Sequence, residues 1–299
     1  MSNDKRVQFD FEIDFSNGGG IQGQAFRLDI DGDDISDKDL ADFIVRDLRL
    51  LMVGAVRIRN KTILAERHKR TAAPPAVTGE STRLIDLSHT IEDGMITYRG
   101  LPAPLICDHL SRAESREQYA SGTEFQIGKI TMVANTGTYI DSPFHRYENG
   151  ADIADFDLAE IASLDGVVVH LDGMRGREIP RSAFAAVDVR GKAVLVHTGW
   201  SEHWRTDRYF ENHPFLTADA ADYLRNAGAR LVGIDSLNID DTTGGHRPVH
   251  TTLLGAGIPI VEHLCALDRL PSSGFRFSAV PPKVRGLGTF PVRAFATLA

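Results

Sequence analysis

Cysteine, clustered positive charge and long apolar runs are all scarce in this chain, and each scarcity removes a class of protein. Only Cys107 and Cys265 occur among 299 residues, far apart and with no Cys-x-x-Cys pair, so no disulfide framework is available. That usage fits a reducing compartment, and a cytoplasmic protein is the expectation. The sequence opens Met1-Ser-Asn-Asp-Lys-Arg6 and passes straight into alternation, without the apolar run of a secretory signal. No stretch approaches the roughly 20 apolar residues of a membrane span. Lys and Arg number 33 against 41 Asp and Glu, a formal net charge of −8, and the densest basic run, Arg67-His-Lys-Arg70, reads as a solvated linker face. Neutralising phosphates needs clustered cations, so neither nucleic acid nor a membrane is an expected partner. What remains, at 42% hydrophobic content, is a chain able to bury a large core in one domain or in a large and a small one.

Three segments emerge along the chain. In residues 1–70, Val7, Phe9, Phe11, Ile13 and Phe15 alternate with polar residues, Ser16-Asn-Gly-Gly-Gly20 turns the chain, and Phe26, Leu28 and Ile30 resume the alternation. Period two predicts a hairpin with one buried face. Ser36 and Asp39 form a cap pattern ahead of Leu40, Phe43, Ile44, Leu48 and Leu51, which predicts a helix running toward Gly54; a strand or strand pair follows over 56–65. This small N-terminal ββα unit contains no coherent catalytic set, and an interface or lid role is the expectation for it. Residues 71–82, with Pro74-Pro75, read as a linker. From 83 to 299 the pattern is mixed α/β: a strand over 127–133, β-branched runs at 166–171 and 192–197, a helix from Thr217 to Gly228, and a strand over 231–235.

Two local patterns imitate ligand sites. Gly18 to Gly23 matches G-x-G-x-x-G, yet a strand follows where a dinucleotide site needs a helix N-terminus. Asp29, Asp31 and Asp33 have calcium-loop spacing, but position six is Asp34 and position twelve is Leu40. Both are polar turns. No G-x-S-x-G elbow marks a serine hydrolase.

Chemistry concentrates in Asn135-Thr-Gly137-Thr138-Tyr139-Ile-Asp141-Ser-Pro143-Phe-His145. Eleven positions hold a carboxylate, an imidazole, a phenol and a carboxamide, with Gly137 and Pro143 constraining the backbone. The stretch resembles the hallmark H-x-G-T-H-x-D-x-P-x-H of the cyclase family that includes bacterial kynurenine formamidase, isatin hydrolase and trans-dienelactone hydrolase. Asp86-Leu-Ser-His89, His197-Thr-Gly-Trp200, Gly233-Ile-Asp-Ser236, His250 and Glu262 are similar to further landmarks of that family. The resemblance implies an α/β fold of cyclase type (swivelling β/β/α-like), with a mixed or barrel-like sheet flanked by helices. It also implies a homodimer or higher homo-oligomer and a hydrolase or cyclase acting on a small cyclic or cyclisable amide or lactone.

Two departures bear on mechanism. Where the hallmark has metal-binding histidines this chain has Asn135 and Tyr139, poorer ligands than imidazole. One expectation is a metal-free site in which His145 and His250 act as acid and base, Asp141 or Glu262 orients an imidazole, and Tyr139 donates to an oxyanion. The other is a single divalent metal, Zn or Mn, on Asp141, His250 and Glu262 with weak help from Asn135. A relative that binds a small molecule without turnover is a third. His203, His213, His246 and His263 are expected at the surface or in loops, with His246 and Arg247 near enough to His250 to meet substrate. Trp200, Trp204, Tyr209 and Phe210 are candidates for a pocket wall or for core.

Overall fold

The computed structural model describes residues 5–30, 32–48, 50, 52–66, 83–171 and 173–298. The linker 71–82, the basic run 67–70, Asp31 and Leu51 lie outside them. The chain divides into two compact units, Met1–Glu80 and Ser81–Ala299.

In the first unit β1 (Lys5–Phe15) and β2 (Gly20–Ile30) form the hairpin, α1 (Asp37–Asp47) follows, and β3 (Val53–Leu64) pairs with the other edge of β1. Val7, Phe9, Phe11 and Ile13 of β1 bury against Leu28, Ile30, Leu40 and Ile44. At about 1.5–3 kcal/mol for each fully buried large apolar side chain, this one row supplies most of the unit's cohesion. The helix stops earlier than its apolar spacing suggests, with Leu48 as C-cap. Met52 turns at φ 59, and its carbonyl accepts from the backbone N–H of Ser16 at 2.8 Å. That tie draws the chain back to the sheet, and Gly54 falls inside β3.

The second unit is built from β4 (Arg83–Asp86), β5 (Leu105–Leu110), α2 (Arg112–Gln118), β6 (Ile127–Thr131), β7 (Tyr139–Asp141), α3 (Leu158–Ile161) and β8 (Leu164–His170). There follow β9 (Glu178–Ile179), β10 (Ala193–His197), β11 (Phe215–Leu216), α4 (Ala218–Ala227), β12 (Leu231–Ile234) and α5 (Pro248–Gly255). The unit closes with β13 (Ile260–Glu262), β14 (Ser273–Ser278), β15 (Thr289–Pro291) and β16 (Phe295–Leu298). Nine strands form one curled mixed sheet in the order β15-β7-β13-β12-β10-β8-β14-β16-β4. The central β13, β12, β10 and β8 run parallel, and antiparallel strands close both sides.

Buried parallel strands read as continuous apolar runs because both faces are covered. Along β10, Val194 and Val196 pack with Leu224 of α4 and Leu253 of α5, while Ala193 and Leu195 join Ile85 and Phe277 on the opposite face. Gly228, at φ 83, ends α4 where a side chain would be strained. Thr217 precedes α4 as expected but does not cap it by its side chain, because its hydroxyl is drawn to the carbonyl of Ile179 and to Asp219.

The strand expected over 127–133 forms as β6, although outside the main sheet. It pairs only with β5 in a two-stranded ribbon and is exposed along its length.

The short β7 places the chemistry. It lies between β13 and β15, so Tyr139 stands opposite Glu262 and Asp141 opposite Thr289. Ahead of it Gly137 takes φ +66, accepts no Cβ without meeting Ile91 at 2.9 Å, and donates its N–H to Thr97 at 2.9 Å. The motif's glycine is therefore a backbone requirement.

Candidate active site

Three elements bring the candidate residues together: β7 with its following turn supplies Asp141 and His145, α5 supplies His250, and β13 supplies Glu262. His250, in the polar sequence after Gly244-Gly245, reads from sequence as a loop residue. It occupies the first turn of a helix and is buried, because Pro248 starts that helix and Asp240 anchors its N-terminus.

Asp240 is a residue that motif reasoning missed. Its carboxylate accepts from the backbone N–H of Val249 at 2.8 Å and of His250 at 3.0 Å, and from Nδ1 of the His250 ring at 2.6 Å. With Nδ1 donating to Asp240, Nε2 points inward. There it meets Oδ2 of Asp141 at 3.7 Å and Oε1 of Glu262 at 3.8 Å.

Glu262 is buried and fully engaged. Oε1 accepts from the backbone N–H of Ile239 at 2.7 Å, and Oε2 accepts from Tyr139 at 2.6 Å and from Asn238 at 3.3 Å. The Tyr139 hydroxyl was expected to face a substrate oxyanion. In this geometry its proton is given to Glu262, and the buried ring fills the strand interior. Asn238 in turn donates to Tyr98 at 2.6 Å, and Tyr98 donates to the carbonyl of Leu237 at 2.9 Å. Asn135 is half-buried ahead of β7, and among the described residues no hydrogen bond ties its carboxamide to these groups.

A second relay orients His145. Thr289 gives its hydroxyl proton to Oδ1 of Asp141, so the Thr289 hydroxyl oxygen accepts from Nδ1 of His145 at 2.8 Å. That leaves Nε2 of His145 unprotonated, on a ring exposed to the pocket. Oδ2 of Asp141 is buried with no hydrogen-bond partner. Asp141, His145 and His250 offer ligand atoms that all lie within 4.8 Å of one another, and among the described residues no other such group of three occurs.

The electrostatics follow from the crowding of Asp141, Asp240 and Glu262 around one imidazole. Burial by itself would lower the pKa of His250, but the facing carboxylates outweigh it and raise it to about 10. Burial pushes Glu262 up to about 7, opposed by His250 and reinforced by Asp141. Both shifts state that the site lacks positive charge and takes up a proton, or another cation, to offset its carboxylates.

The remaining histidines divide. His213 and His263 are buried rather than superficial: His213 bonds Thr242 at 3.0 Å, and His263 bonds the buried Tyr209 hydroxyl at 2.8 Å. His89 stacks on Trp204 with centroids 4.1 Å apart. Trp200 lines a separate cavity of about 280 Å³ with Gly199, His203 and Arg208, so the aromatic cluster does not wall the Asp141 site. The pocket above that site, about 210 Å³, is lined by His145, Arg146, Asn238, Gly245, Arg247 and His250.

Comparison with known proteins places this arrangement. The Cyclase family model matches residues 85–241, more than half of the chain. The chain belongs to the Cyclase family. A kynurenine formamidase of Geobacillus thermodenitrificans is 32% identical over 213 residues, covering 70% of this chain and 95% of that protein. One from Bacillus thuringiensis is 28% identical over 217 residues, covering 72% and 97%. Among solved structures, one described as a potential metal-dependent hydrolase with cyclase activity is 28% identical, with a TM-score of 0.61 over 73% of this chain and 99% of its own. Isatin hydrolase A of Labrenzia aggregata, at 22% identity and a TM-score of 0.62 over 73% and 94%, shares the fold. This cyclase-family chain is an enzyme. No helix among the described residues is long and apolar enough to cross a membrane.

Proposed function

We propose that the chain hydrolyses a small amide, open or ring-closed, or a lactone, with Asp141, His145, His250 and Glu262 as its working groups. The observation that supports this is the convergence of two oriented imidazoles on the carboxylate of Asp141, His250 facing its partnerless oxygen and His145 the other, at the floor of an open pocket. Kynurenine formamidases among the relatives are named for an amide substrate, in keeping with that bond class.

The donor set accommodates one divalent cation, Zn or Mn. Asp141 and His250 would hold it, with His145 in reach as the third donor and Glu262, expected from sequence as a ligand, outside that group at 3.8 Å from His250, and the excess of buried carboxylate favours positive charge there. Such an ion, when bound, supplies Lewis-acid polarisation and lowers the pKa of an attached water. Asn135 is not needed in that set.

His145 is the proton carrier in this reading. Its Nε2 takes the proton of the water that adds to the carbonyl carbon, and returns it to the leaving nitrogen or oxygen as the C–N or C–O bond breaks. The products are a carboxylic acid and an amine or alcohol. Glu262 and Asp240 orient His250, and Thr289 holds His145 in the required tautomer.

The test is turnover of N-formylkynurenine, isatin and simple aryl formamides with metal analysis of the same preparation. His145→Ala is expected to lower kcat by about 10²–10⁴-fold. Chelation should remove activity and Mn or Zn restore it; an unchanged kcat in His145→Ala would sink the assignment. The assembly we propose is a homodimer. In its support, a two-stranded ribbon is marginal alone, and β5 and β6 expose Leu105, Ile106, Ile127 and Ile130. Light scattering on the full chain reads it directly, and a monomer's mass would overturn it.

A further inference from the structure

The pocket above the site has opposite character at its two ends. Its floor carries buried carboxylates, whereas its rim carries Arg146 and Arg247. In this acidic chain Arg6, Arg57, Arg99, Arg177, Arg205 and Arg293 each meet an acid. Arg146 and Arg247 pair with no carboxylate among the described residues. Arg146 donates from Nε to Thr251 at 3.3 Å and lies 5.4 Å over the Tyr147 ring. Arg247 is held more firmly, by the carbonyl oxygens of Asp241, Gly244 and His246 at 3.1, 2.8 and 2.8 Å, all on one terminal nitrogen. Those bonds fix the guanidinium without neutralising it and leave its other donors open.

Such a pair suits a carboxylate, which the planar fork of arginine recognises through two parallel hydrogen bonds. The floor cannot take that group, since Asp141, Asp240 and Glu262 would repel it. We propose that the substrate carries a carboxylate apart from its reacting carbonyl, and that Arg146 and Arg247 are specificity-determining residues that hold it at the rim. The direction in which the substrate lies rests on the hydrolytic reading above; the anion site itself rests on the two arginines.

Binding and turnover separate the two. Calorimetric titration of the full chain with benzoate and with benzamide is expected to show benzoate binding more tightly by about tenfold or more. Arg247→Gln and Arg146→Gln should each weaken benzoate by about tenfold and leave benzamide unchanged, with Arg247→Lys recovering part of the loss. Arg146 is exposed, so its variant tests the site even if Arg247→Gln fails to fold. Absent benzoate binding, equal binding of the two probes, or indifference to both arginine substitutions would overturn the proposal. A carboxylate held only by a cation on the floor would survive both substitutions and so counts against it. Rates with N-formylanthranilate and formanilide complete the test. Preference for the acid in kcat/KM, lost in the arginine variants, supports the anion site. Equal turnover of both overturns the anion site alone. Benzoate binding with no turnover of either overturns the hydrolytic reading and leaves the anion site standing.

Discussion

His250 depends on Asp240 more than on any residue of the motif around Asp141. The 2.6 Å bond to Nδ1 sets its tautomer, and two further bonds fix the helix turn that carries it. Asp240→Asn is expected to lower activity or metal affinity by about 10–100-fold, read from kcat/KM and from metal titration. Tyr139 has a different standing. Removing its hydroxyl leaves Glu262 short of one donor in a buried site, so Tyr139→Phe should destabilise by about 1–3 kcal/mol in urea unfolding. It should leave kcat within about tenfold of the parent, since that hydroxyl faces a carboxylate and not the pocket. A loss as deep as that of His145→Ala would instead assign Tyr139 to the reaction.

Among elements, the turn of Pro143–His145 is the most constrained. The segment leading into β15 passes against it: Ser142 donates its backbone N–H to the carbonyl of Gly288 at 2.7 Å. A Cβ on Gly288 would stand 2.4 Å from both Cα and N of His145. These are backbone atoms, so no side-chain rotation relieves the collision. Gly288→Ala should cost about 1–3 kcal/mol of stability and move the His145 ring off Thr289. Denaturant melts and kcat measured together check it, and a fall in both is expected. The proline-initiated α5 does the corresponding work for His250, and β13 for Glu262, so three separate connections must form before the site exists.

At the scale of the molecule, every candidate site residue belongs to the second unit, Ser81–Ala299. The first unit has its own core and adds none of these groups. The second unit also holds several neutral imidazoles largely out of water, and they contribute to its acid response. Burial lowers His89 to about 4, and lowers His213 and His263 too. Each binds its proton more readily when unfolded, where a histidine titrates near about 6.5. Stability is therefore full above that value and declines as pH falls through it. For His89 the decline between pH 7 and 5 is on the order of 1–2 kcal/mol. Glu262, raised to about 7, contributes in the opposite sense over the same window, so the test is a difference: from pH 7 to 5 the urea midpoint of His89→Phe should fall less, or rise more, than that of the parent.

Much of this was legible in sequence, for local reasons. Alternation gave the first hairpin, Gly228 the end of α4, and β-branched runs the central parallel strands, because period and backbone conformation are properties of neighbouring residues. The motif from Asn135 to His145, with His250 and Glu262, identified the family and most of the groups that meet. Other features depended on residues far apart in the chain. Asp240 and Thr289 belong to no local pattern, and His263 read as a surface or loop histidine. Arg146 carried no pattern of its own. Tyr139 changed from candidate donor to partner of Glu262 only when β7 and β13 came into register. Sequence by itself determined the first hairpin, the central parallel strands, the family and the residue types in the site. Tertiary structure decided which oxygen faces which nitrogen, and hence where the protons and the unpaired charges lie, because those follow from distances between strands that no spacing along the chain encodes.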